Sequence, residues 1–158
     1  MTHSGDNINW NLKKFSELSL DELYGILKLR SEVFVVEQDC VYQDLDDKDQ
    51  CAYHLFLKKD NDVVAVLRIL PKGVSYDEMA IGRVIVKKQY RGNGISREMI
   101  NKAIDFIIND LDNDKIRLSG QAYLREFYES FGFRKVSDVY LEDGIDHFEF
   151  LLEVKNEH

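Results

Sequence analysis

The chain has 158 residues, 44% of them hydrophobic and 32% charged, which fits one soluble domain with a single apolar core and excludes a chain that is disordered throughout. Its 29 acidic residues outnumber its 21 basic ones, and the net charge of −8 argues against nucleic acid or an anionic membrane as a partner. The sequence contains no disulfide pattern, signal peptide or membrane-spanning apolar run, so we expect a single cytoplasmic domain over residues 1–158.

The first half of the chain predicts one helix and four strands. A flexible tail is expected over about residues 1–9, followed by a short strand over residues 10–13. Ser19 is a predicted helix N-cap because Glu22 follows three residues later, as in a capping box. Apolar residues at helical spacing extend this helix over residues 20–36. Strands are expected over residues 53–57, 63–70 and 79–86, with the first two joined as a hairpin by a turn at residues 59–62.

The second half of the chain predicts two helices and three strands. A long helix is expected over residues 95–111, where apolar residues recur every three or four positions. Then follow a short strand over residues 116–119, a helix over 121–131 ended by Gly132, and strands over 136–141 and 147–154 joined by a turn at 142–146. Hairpins near both ends and helices between them indicate a mixed α+β domain.

A glycine-containing segment separates the strand over residues 79–86 from the long helix and reads Gln89-Tyr90-Arg91-Gly92-Asn93-Gly94-Ile95-Ser96. Unpaired backbone N–H groups and the positive end of the helix dipole meet at such a point, which favours anion binding. Gly92 and Gly94 allow the backbone to curl around an oxygen cluster and Arg91 can add positive charge, so a phosphate or pyrophosphate is the predicted ligand. A tight strand-to-helix turn that needs glycine explains a bare Gly-x-Gly equally well.

The spacing of this segment distinguishes it from two common phosphate-binding motifs. A dinucleotide fingerprint requires a third glycine where Arg97 stands, and the sequence has no Gly-Lys-Ser/Thr of a P-loop. The arrangement Gln/Arg-x-x-Gly-x-Gly/Ala at the start of a long helix resembles the acyl-CoA loop of the Gcn5-related N-acetyltransferases. The resemblance implies that family's fold, a central, mixed and mostly antiparallel sheet flanked by helices, with acetyl-CoA as co-substrate and no metal.

The same resemblance implies which residues bind acetyl-CoA. The strand backbone around Ile85 and Val86 would pair with the pantetheine arm, while the loop N–H groups would hold the pyrophosphate. The residues implied in this way are Val84, Ile85, Val86, Gln89, Arg91, Gly92, Asn93, Gly94, Ile95 and Ser96.

A second match to the family lies in the segment Phe127-Tyr128-Glu129-Ser130-Phe131-Gly132-Phe133. In the family, the tyrosine of this run lies beside the thioester sulfur, so the resemblance implies that Tyr128 protonates the departing thiolate. Many members carry an asparagine six residues before that tyrosine, where this chain has Ala122. Gln121 is the candidate replacement for that contact with acetyl-CoA.

Further segments resemble one branch of the family, the ElaA type, over most of residues 10–154. They comprise residues 29–40, residues 42–46 with Asp49, residues 81–86, and residues 139–140 with 142–145 and His147. Because members of this branch are assigned mostly by fold, the resemblance leaves the acceptor open.

Acetyl transfer to an amine requires the neutral amine, so a general base is expected near the acceptor. The strand over residues 79–86 has no carboxylate, and Glu37 is therefore the predicted base, with His54 and His147 as further candidates. A solvated helix end explains Glu37, and hydrogen-bonded strand positions explain the two histidines, without any catalytic role.

Two arginines occupy otherwise apolar surroundings, Arg30 on a helix face and Arg83 inside a strand. Each either pairs with the acidic run at residues 44–49 or grips an acceptor carboxylate. Together with His54 and His147, these arginines are the predicted acceptor-binding residues. Cys40 lacks an activating pattern and is expected to be a spectator thiol.

The sequence therefore predicts an enzyme that moves an acetyl group from acetyl-CoA to a primary amine, in a small molecule such as an amino acid or in a peptide, by direct transfer in a ternary complex. One alternative is an acylhomoserine lactone synthase, a family that Arg30, Phe34, the acidic run and Arg68 also resemble. The other is a non-catalytic CoA-binding module. A homodimer is compatible with each of them.

Overall fold

A computed structural model describes residues 8–154, which divide into two compact units. Unit 1 comprises the described residues up to Ile69 together with Arg83–Ile100, and unit 2 comprises Leu70–Gly82 and the described residues from Asn101 onward. Residues 1–7 of the expected flexible tail lie outside the described part of the chain. The rest of that expectation is wrong, because Ile8 and Asn9 already pair with a neighbouring strand.

The sheet of unit 1 is built from three antiparallel strands: β1 (Ile8–Lys14), β2 (Tyr53–Lys59) and β3 (Asp62–Leu70). β1 pairs with β2, and β2 pairs with β3 through a two-residue turn at Asp60-Asn61. Asp60 has a φ of 56°, a left-handed conformation that aspartate tolerates in tight hairpin turns. The predicted hairpin is confirmed.

The first helix, α1 (Leu20–Arg30), begins at the predicted capping box. The Glu22 backbone N–H donates to Ser19 Oγ over 3.0 Å, and the Ser19 N–H donates to Glu22 Oε1 over 2.9 Å. Beyond α1 the helix continues as a π-helical segment, Ser31–Glu37, so the predicted extent is confirmed while the winding changes. Asp39, with a φ of 51°, turns the chain away.

α1 packs tightly against the hairpin of unit 1. A Cβ added at Gly25 would lie 2.9 Å from Val63 Cγ2, so only glycine permits this approach of helix to strand. The apolar core beneath the helix consists of Ile26, Leu29, Val33, Phe56, Val63, Val66 and Ile85.

Two elements, β4 (Met79–Val86) and α2 (Ile95–Asp105), contribute residues to both units. β4 has the predicted boundaries. α2 continues as a π-helical segment, Phe106–Asp110, and its three-and-four spacing is confirmed because Met99, Ile100 and Ala103 are fully buried.

Unit 2 contains five further elements: β5 (Lys115–Gln121), α3 (Arg125–Glu129), β6 (Arg134–Lys135), β7 (Tyr140–Glu142) and β8 (Ile145–Glu153). β5 runs parallel to β4 and antiparallel to β8, and β6 and β7 both pair with β8. The sheet of this unit is therefore mixed. Among the described residues, no helix is both long and apolar enough to cross a membrane.

Two expectations for unit 2 are wrong in their boundaries. The helix expected over residues 121–131 is short, because Gln121 still pairs with His147 in the sheet and a 3-10 turn follows before α3. The strand expected over residues 136–141 is interrupted, because the Ser137 hydroxyl rather than a backbone carbonyl accepts the Glu149 N–H. The predicted turn before β8 is a two-residue Asp143-Gly144 hairpin with φ values of 52° and 79°.

Candidate active site

The loop between β4 and α2 has the geometry of an anion cradle. Gly92 and Gly94 have φ values of 84° and 78°, a left-handed region that glycine adopts without strain. Apart from each glycine's two chain neighbours, no described heavy atom lies within 4 Å of the position that a Cβ would take, so the surrounding space is open. The Glu98 N–H donates to the Gly94 carbonyl over 3.0 Å, and by helix geometry the N–H groups of the preceding turn have no partner within α2.

The Arg91 side chain is 40% exposed, yet all three of its guanidinium nitrogens donate hydrogen bonds within the protein. Its Nε donates to the Val86 carbonyl over 2.8 Å, and its two terminal nitrogens donate to Glu37 over 2.5 and 2.9 Å. The guanidinium charge is thus already matched by a carboxylate, which differs from the expectation that Arg91 adds positive charge for a ligand. If the loop binds an anion as predicted, the attraction would come from backbone N–H groups and the α2 dipole.

The same contact changes the chemistry expected of Glu37. The hydrogen bonds from Arg91 hold the pKa of Glu37 below its ordinary value, and the nearby charge of Lys88 adds to the effect. A carboxylate with a lowered pKa is a weaker proton acceptor. The geometry therefore favours a contact that fixes the loop over the predicted role as general base.

Three arginines and three aspartates form a charge network in unit 1. Arg30 donates to Asp44 and to Asp49, each over 2.7 Å. Arg68 donates to Asp46 over 2.8 Å and to Asp49 over 3.0 Å. The six formal charges of the network, completed by Arg83, cancel, as burial requires.

Arg30 is only 1% exposed, and all three of its guanidinium nitrogens donate within the network. The interpretation as an acceptor-binding residue is wrong for Arg30, because an acceptor cannot reach a group that is both buried and fully paired. The ion-pair interpretation is the one that the structure supports.

Arg83 differs from Arg30 in its backbone and in its exposure. Its φ of 52° places a non-glycine residue in the left-handed region inside a strand. The Arg83 side chain is 23% exposed and donates to Asp44 Oδ1 over 2.7 Å. The rings of Phe34 and Tyr42 each lie 6.0 Å from its guanidinium carbon. Arg83 has a structural role, and contact with an acceptor stays a prediction.

His54 lies in β2 beside the network and is 1% exposed. Its Nε2 donates to the Asp49 carbonyl over 2.9 Å, and burial lowers its pKa. Among the described side chains, His54 Nδ1 and Arg68 Nε are buried without a hydrogen-bond partner. The predictions that His54 contacts the acceptor or serves as base are wrong, because the ring is enclosed in the unit.

In unit 2, Tyr128 lies on α3 and is embedded in an aromatic cluster with Phe127, Phe133 and Phe150. Its ring centroid lies 5.4 Å from that of Phe127, 5.3 Å from that of Phe150 and 6.3 Å from that of Phe133. A Cβ added at Gly120 would lie 2.5 Å from Tyr128 Cε2, so the missing side chain makes room for the ring. Burial raises the pKa of Tyr128 to about 12, which keeps the hydroxyl protonated at neutral pH.

His147 and Gln121 are direct partners across β5 and β8. His147 is 6% exposed, and its Nδ1 lies 2.7 Å from the Ile145 carbonyl. Its ring stacks on Tyr140 at a centroid distance of 6.1 Å, and its Nε2 lies 3.4 Å from Glu142. These contacts describe a hydrogen-bonded strand residue, the non-catalytic interpretation of His147, and its contact with an acceptor stays a prediction.

One polar cluster in unit 2 is absent from the sequence predictions. Arg117 donates to Glu78 over 2.9 Å and to Glu149 over 2.8 Å, and its guanidinium carbon lies 5.8 Å from the Tyr76 ring centroid. Burial raises the pKa of Tyr76 to about 12. The available signal was an arginine between Ile116 and Leu118 in an apolar strand, which is the pattern that identified Arg83.

Comparison with known proteins identifies the family of this chain. The family model described as an acetyltransferase (GNAT) domain matches residues 13–154. The Escherichia coli protein ElaA is 40% identical over 149 residues, which cover 93% of this chain and 97% of that protein. Its crystal structure has a TM-score of 0.87, with 38% identity and coverage of 92% and 99% of the two chains.

Two further relatives agree with this assignment. A UPF0039 protein of Schizosaccharomyces pombe is 40% identical over 150 residues, which cover 94% of this chain and 99% of that protein. The crystal structure of an acyl-CoA N-acyltransferase from Pseudomonas aeruginosa has a TM-score of 0.87 at 37% identity and covers 92% of this chain and 99% of that chain.

More distant structures share only the fold. The acylhomoserine lactone synthase LasI has a TM-score of 0.73 at 14% identity, and an Elizabethkingia anophelis acetyltransferase with acetyl-CoA bound has a TM-score of 0.62 at 13% identity. The expected acyl-CoA N-acyltransferase fold, a mixed and mostly antiparallel sheet flanked by helices, is thus confirmed. This chain belongs to the GNAT acetyltransferase family, within its ElaA-type branch.

Proposed function

We propose that the protein is an acetyl-CoA-dependent N-acetyltransferase that moves the acetyl group to a primary amine by direct transfer in a ternary complex. The observation that carries the proposal is the exposed loop at the start of α2, in which Gly92 and Gly94 adopt left-handed conformations. A backbone of this shape presents several N–H groups to one anion, as a pyrophosphate requires. Membership of the GNAT family makes CoA the ligand of choice.

Acetyl-CoA would extend from the loop along the end of β4. The N–H groups from Gly92 to Ser96 would hold the pyrophosphate, with Gln89 at the entrance of the loop, while the backbone from Val84 to Val86 would pair with the pantetheine arm. Gln121 would supply the contact that many family members make through asparagine. No metal enters this scheme, because the thioester is already activated toward amines.

In the reaction, the nitrogen lone pair of a neutral amine forms a bond to the thioester carbon and the carbon–sulfur bond breaks. The amine loses one proton to solvent or to a base, the acetamide is released, and the sulfur leaves as thiolate and gains a proton. An α-amino group has a pKa near 7.7–8.0 against about 10.4 for lysine. It therefore needs much less help from a base.

Tyr128 is the proposed hydrogen-bond donor to the departing sulfur. A thiol has a pKa near 8.5, whereas burial raises the pKa of Tyr128 to about 12. The hydroxyl is therefore protonated before and after transfer, and it stabilises the developing thiolate by donating a hydrogen bond. The proton that the sulfur finally gains can then come from solvent through Tyr128.

An acceptor amine with a low pKa does not require a strong general base. Glu37 is paired with Arg91, and His54 is enclosed in unit 1. Neither arrangement favours proton abstraction from an acceptor. We therefore rank free amino acids and peptide N-termini ahead of lysine side chains and polyamines.

The test combines ligand-induced stabilisation with a thiol-release assay. Acetyl-CoA at about 100 times its dissociation constant is expected to add about 2.7 kcal/mol to the free energy of unfolding. Release of free thiol that depends on an added amine, together with a 42 Da mass increase of that amine, would identify the acceptor class. S-adenosylmethionine with an acyl donor, assayed in parallel for a lactone product, tests the acylhomoserine alternative.

Each outcome has a distinct meaning. Stabilisation with amine-dependent thiol release supports the acetyltransferase. Stabilisation without release across all four amine classes favours a CoA-binding module. The absence of any stabilisation by acetyl-CoA contradicts the proposed binding site itself.

A further inference from the structure

We propose that Glu37 is a positioning residue: through Arg91 it holds the loop between β4 and α2 in the conformation that binds the pyrophosphate of CoA, and it takes no proton in the reaction. This inference rests on the proposed function, because CoA is taken as the ligand of the loop.

The first step is the position of Glu37 itself. It is the last residue of the π-helical segment Ser31–Glu37, and the chain reverses immediately afterwards. The Gln38 N–H donates to the Val33 carbonyl over 3.1 Å, the Cys40 N–H donates to the Val35 carbonyl over 3.1 Å, and Asp39 between them is left-handed. These contacts fix the backbone that carries Glu37, so its carboxylate is presented from a rigid helix end.

The second step is what Arg91 joins together. Its terminal nitrogens form two parallel hydrogen bonds with Glu37, which is the strongest arrangement that an arginine and a carboxylate can adopt. Its Nε reaches back across five residues to the Val86 carbonyl. The Arg91 side chain thus connects the end of the π-helical segment and the end of β4 to the loop, in which Arg91 immediately precedes Gly92.

The third step is the rest of the loop, which has weaker restraints of its own. Asn93 Nδ2 donates to the Tyr90 carbonyl over 3.3 Å, and Arg91, Gly92, Asn93 and Gly94 are all exposed. Glycines gain conformational freedom when nothing fixes their neighbours. A loop without the Glu37 contact would sample conformations in which its N–H groups do not converge on one anion.

Electrostatics predicts in which direction CoA affinity would change if Glu37 did not position the loop. A carboxylate close to an anion site repels the anion, so its removal alone would strengthen CoA binding. Removal would also free Arg91 to contact a phosphate. The inference requires the opposite result, weaker CoA binding, because the loss of loop order outweighs both effects.

The experiment measures the dissociation constant of CoA by calorimetry and the steady-state constants with the amine found above, for the wild type and for Glu37→Gln, Arg91→Met and the double variant. We expect Glu37→Gln to weaken CoA binding about two- to fivefold, the range for a partly exposed ion pair. The kcat is expected to stay within about twofold and its pH profile to keep its shape. In the Arg91→Met background, Glu37→Gln should not weaken binding further, and the loss of the carboxylate's repulsion should strengthen it slightly.

Glu153→Gln is the matched control, since it removes a partly exposed carboxylate that pairs with Arg134 over 2.7 Å in unit 2. It should leave CoA binding unchanged. Unchanged or tighter binding in Glu37→Gln overturns the inference, as does further weakening in the double variant. A large fall in kcat with loss of the acidic limb of the pH profile would instead make Glu37 the base.

The experiments can contradict the proposed function without contradicting the role of Glu37. If the wild type binds CoA but transfers no acetyl group, the calorimetric comparison still decides the role of Glu37. If the wild type binds no CoA, both the proposed function and the inference are contradicted.

Discussion

Each unit buries one polar side chain that the sequence predicted to be functional, Arg30 in unit 1 and Tyr128 in unit 2. Burial changes the pKa of these two side chains in opposite directions. In unit 1, burial alone would lower the pKa of Arg30, but Asp49 and Asp44 outweigh it and the pKa rises. In unit 2, burial raises the pKa of Tyr128 to about 12, and aromatic rings rather than charges surround it. The aspartates thus keep the buried arginine charged, whereas burial itself keeps the tyrosine neutral.

This comparison distinguishes a buried side chain that stabilises the fold from one that can take part in the reaction. Each guanidinium nitrogen of Arg30 already donates to an aspartate, and its charge contributes to stability. A neutral hydroxyl in an apolar setting keeps its proton available for a group that becomes negative during a reaction. Substitutions in unit 1 should therefore change folding, and substitution of the tyrosine should change turnover.

The largest expected effect is that of Asp49→Asn. Asp49 accepts hydrogen bonds from Arg30 and Arg68 and is 6% exposed, so the variant keeps the shape but leaves a buried positive charge unmatched. We expect a loss of about 3–5 kcal/mol in the free energy of unfolding, measured by urea denaturation at pH 7. Asp47→Asn, at an exposed position, is the control and should change this value by less than about 0.5 kcal/mol.

The difference between the wild type and Asp49→Asn should also depend on pH. Burial opposes ionisation of Asp49, but Arg30 and Arg68 outweigh it and lower its pKa. The stabilisation is therefore present above the ordinary aspartate pKa of about 3.9 and is lost as pH falls through the lower pKa of the folded state. A difference that stays constant from pH 7 to below pH 3 would contradict the charge-based explanation.

The next effect concerns Tyr128→Phe, which should lower kcat about 100-fold, equivalent to about 2.7 kcal/mol in the barrier. CoA affinity should be retained, because the ring still fills its place among Phe127 and Phe150. Tyr24→Phe, at a residue that is 73% exposed, serves as the control. Full activity in Tyr128→Phe would remove this residue from the mechanism.

The smallest of the three effects is expected for Gly120→Ala. The added Cβ would lie 2.5 Å from Tyr128 Cε2 and 3.1 Å from Phe150 Cε2, so the tyrosine must shift or the strand must yield. Overpacking of this kind destabilises by about 1–3 kcal/mol. Gly82→Ala, where no described heavy atom beyond the two chain neighbours lies within 4 Å of the new Cβ, should not lose stability. Equal melting temperatures for the two variants would contradict the packing described for Tyr128.

The elements that sequence patterns predicted well are those whose signal is local. The capping box at Ser19 and the three-and-four spacing of α2 each depend on residues within one or two turns. The hairpin turn at Asp60-Asn61 is equally local. The glycine loop belongs to the same class, because left-handed glycines before a helix leave a recognisable spacing.

The expectations that the sequence left undecided or wrong depend on contacts between residues far apart in the chain. The sequence identified Arg30 as a charge in need of a partner, but only folding decides that Asp44 and Asp49 supply it. Glu37 became a candidate base because no strand carboxylate was available, and its pairing with Arg91 joins residues 54 positions apart. Local propensity also missed that Gln121 remains in β5, since its partner His147 comes from β8.

The left-handed residue in β4 limits how this protein can be stabilised by substitution. Replacing a non-glycine residue of positive φ with glycine is a standard way to relieve about 1–2 kcal/mol of backbone strain. At Arg83 the same change would delete a guanidinium that donates to Asp44 over 2.7 Å. Backbone preference and charge balance therefore make opposing demands on one position, and a thermostable variant would need a matched change at an aspartate before glycine became acceptable there.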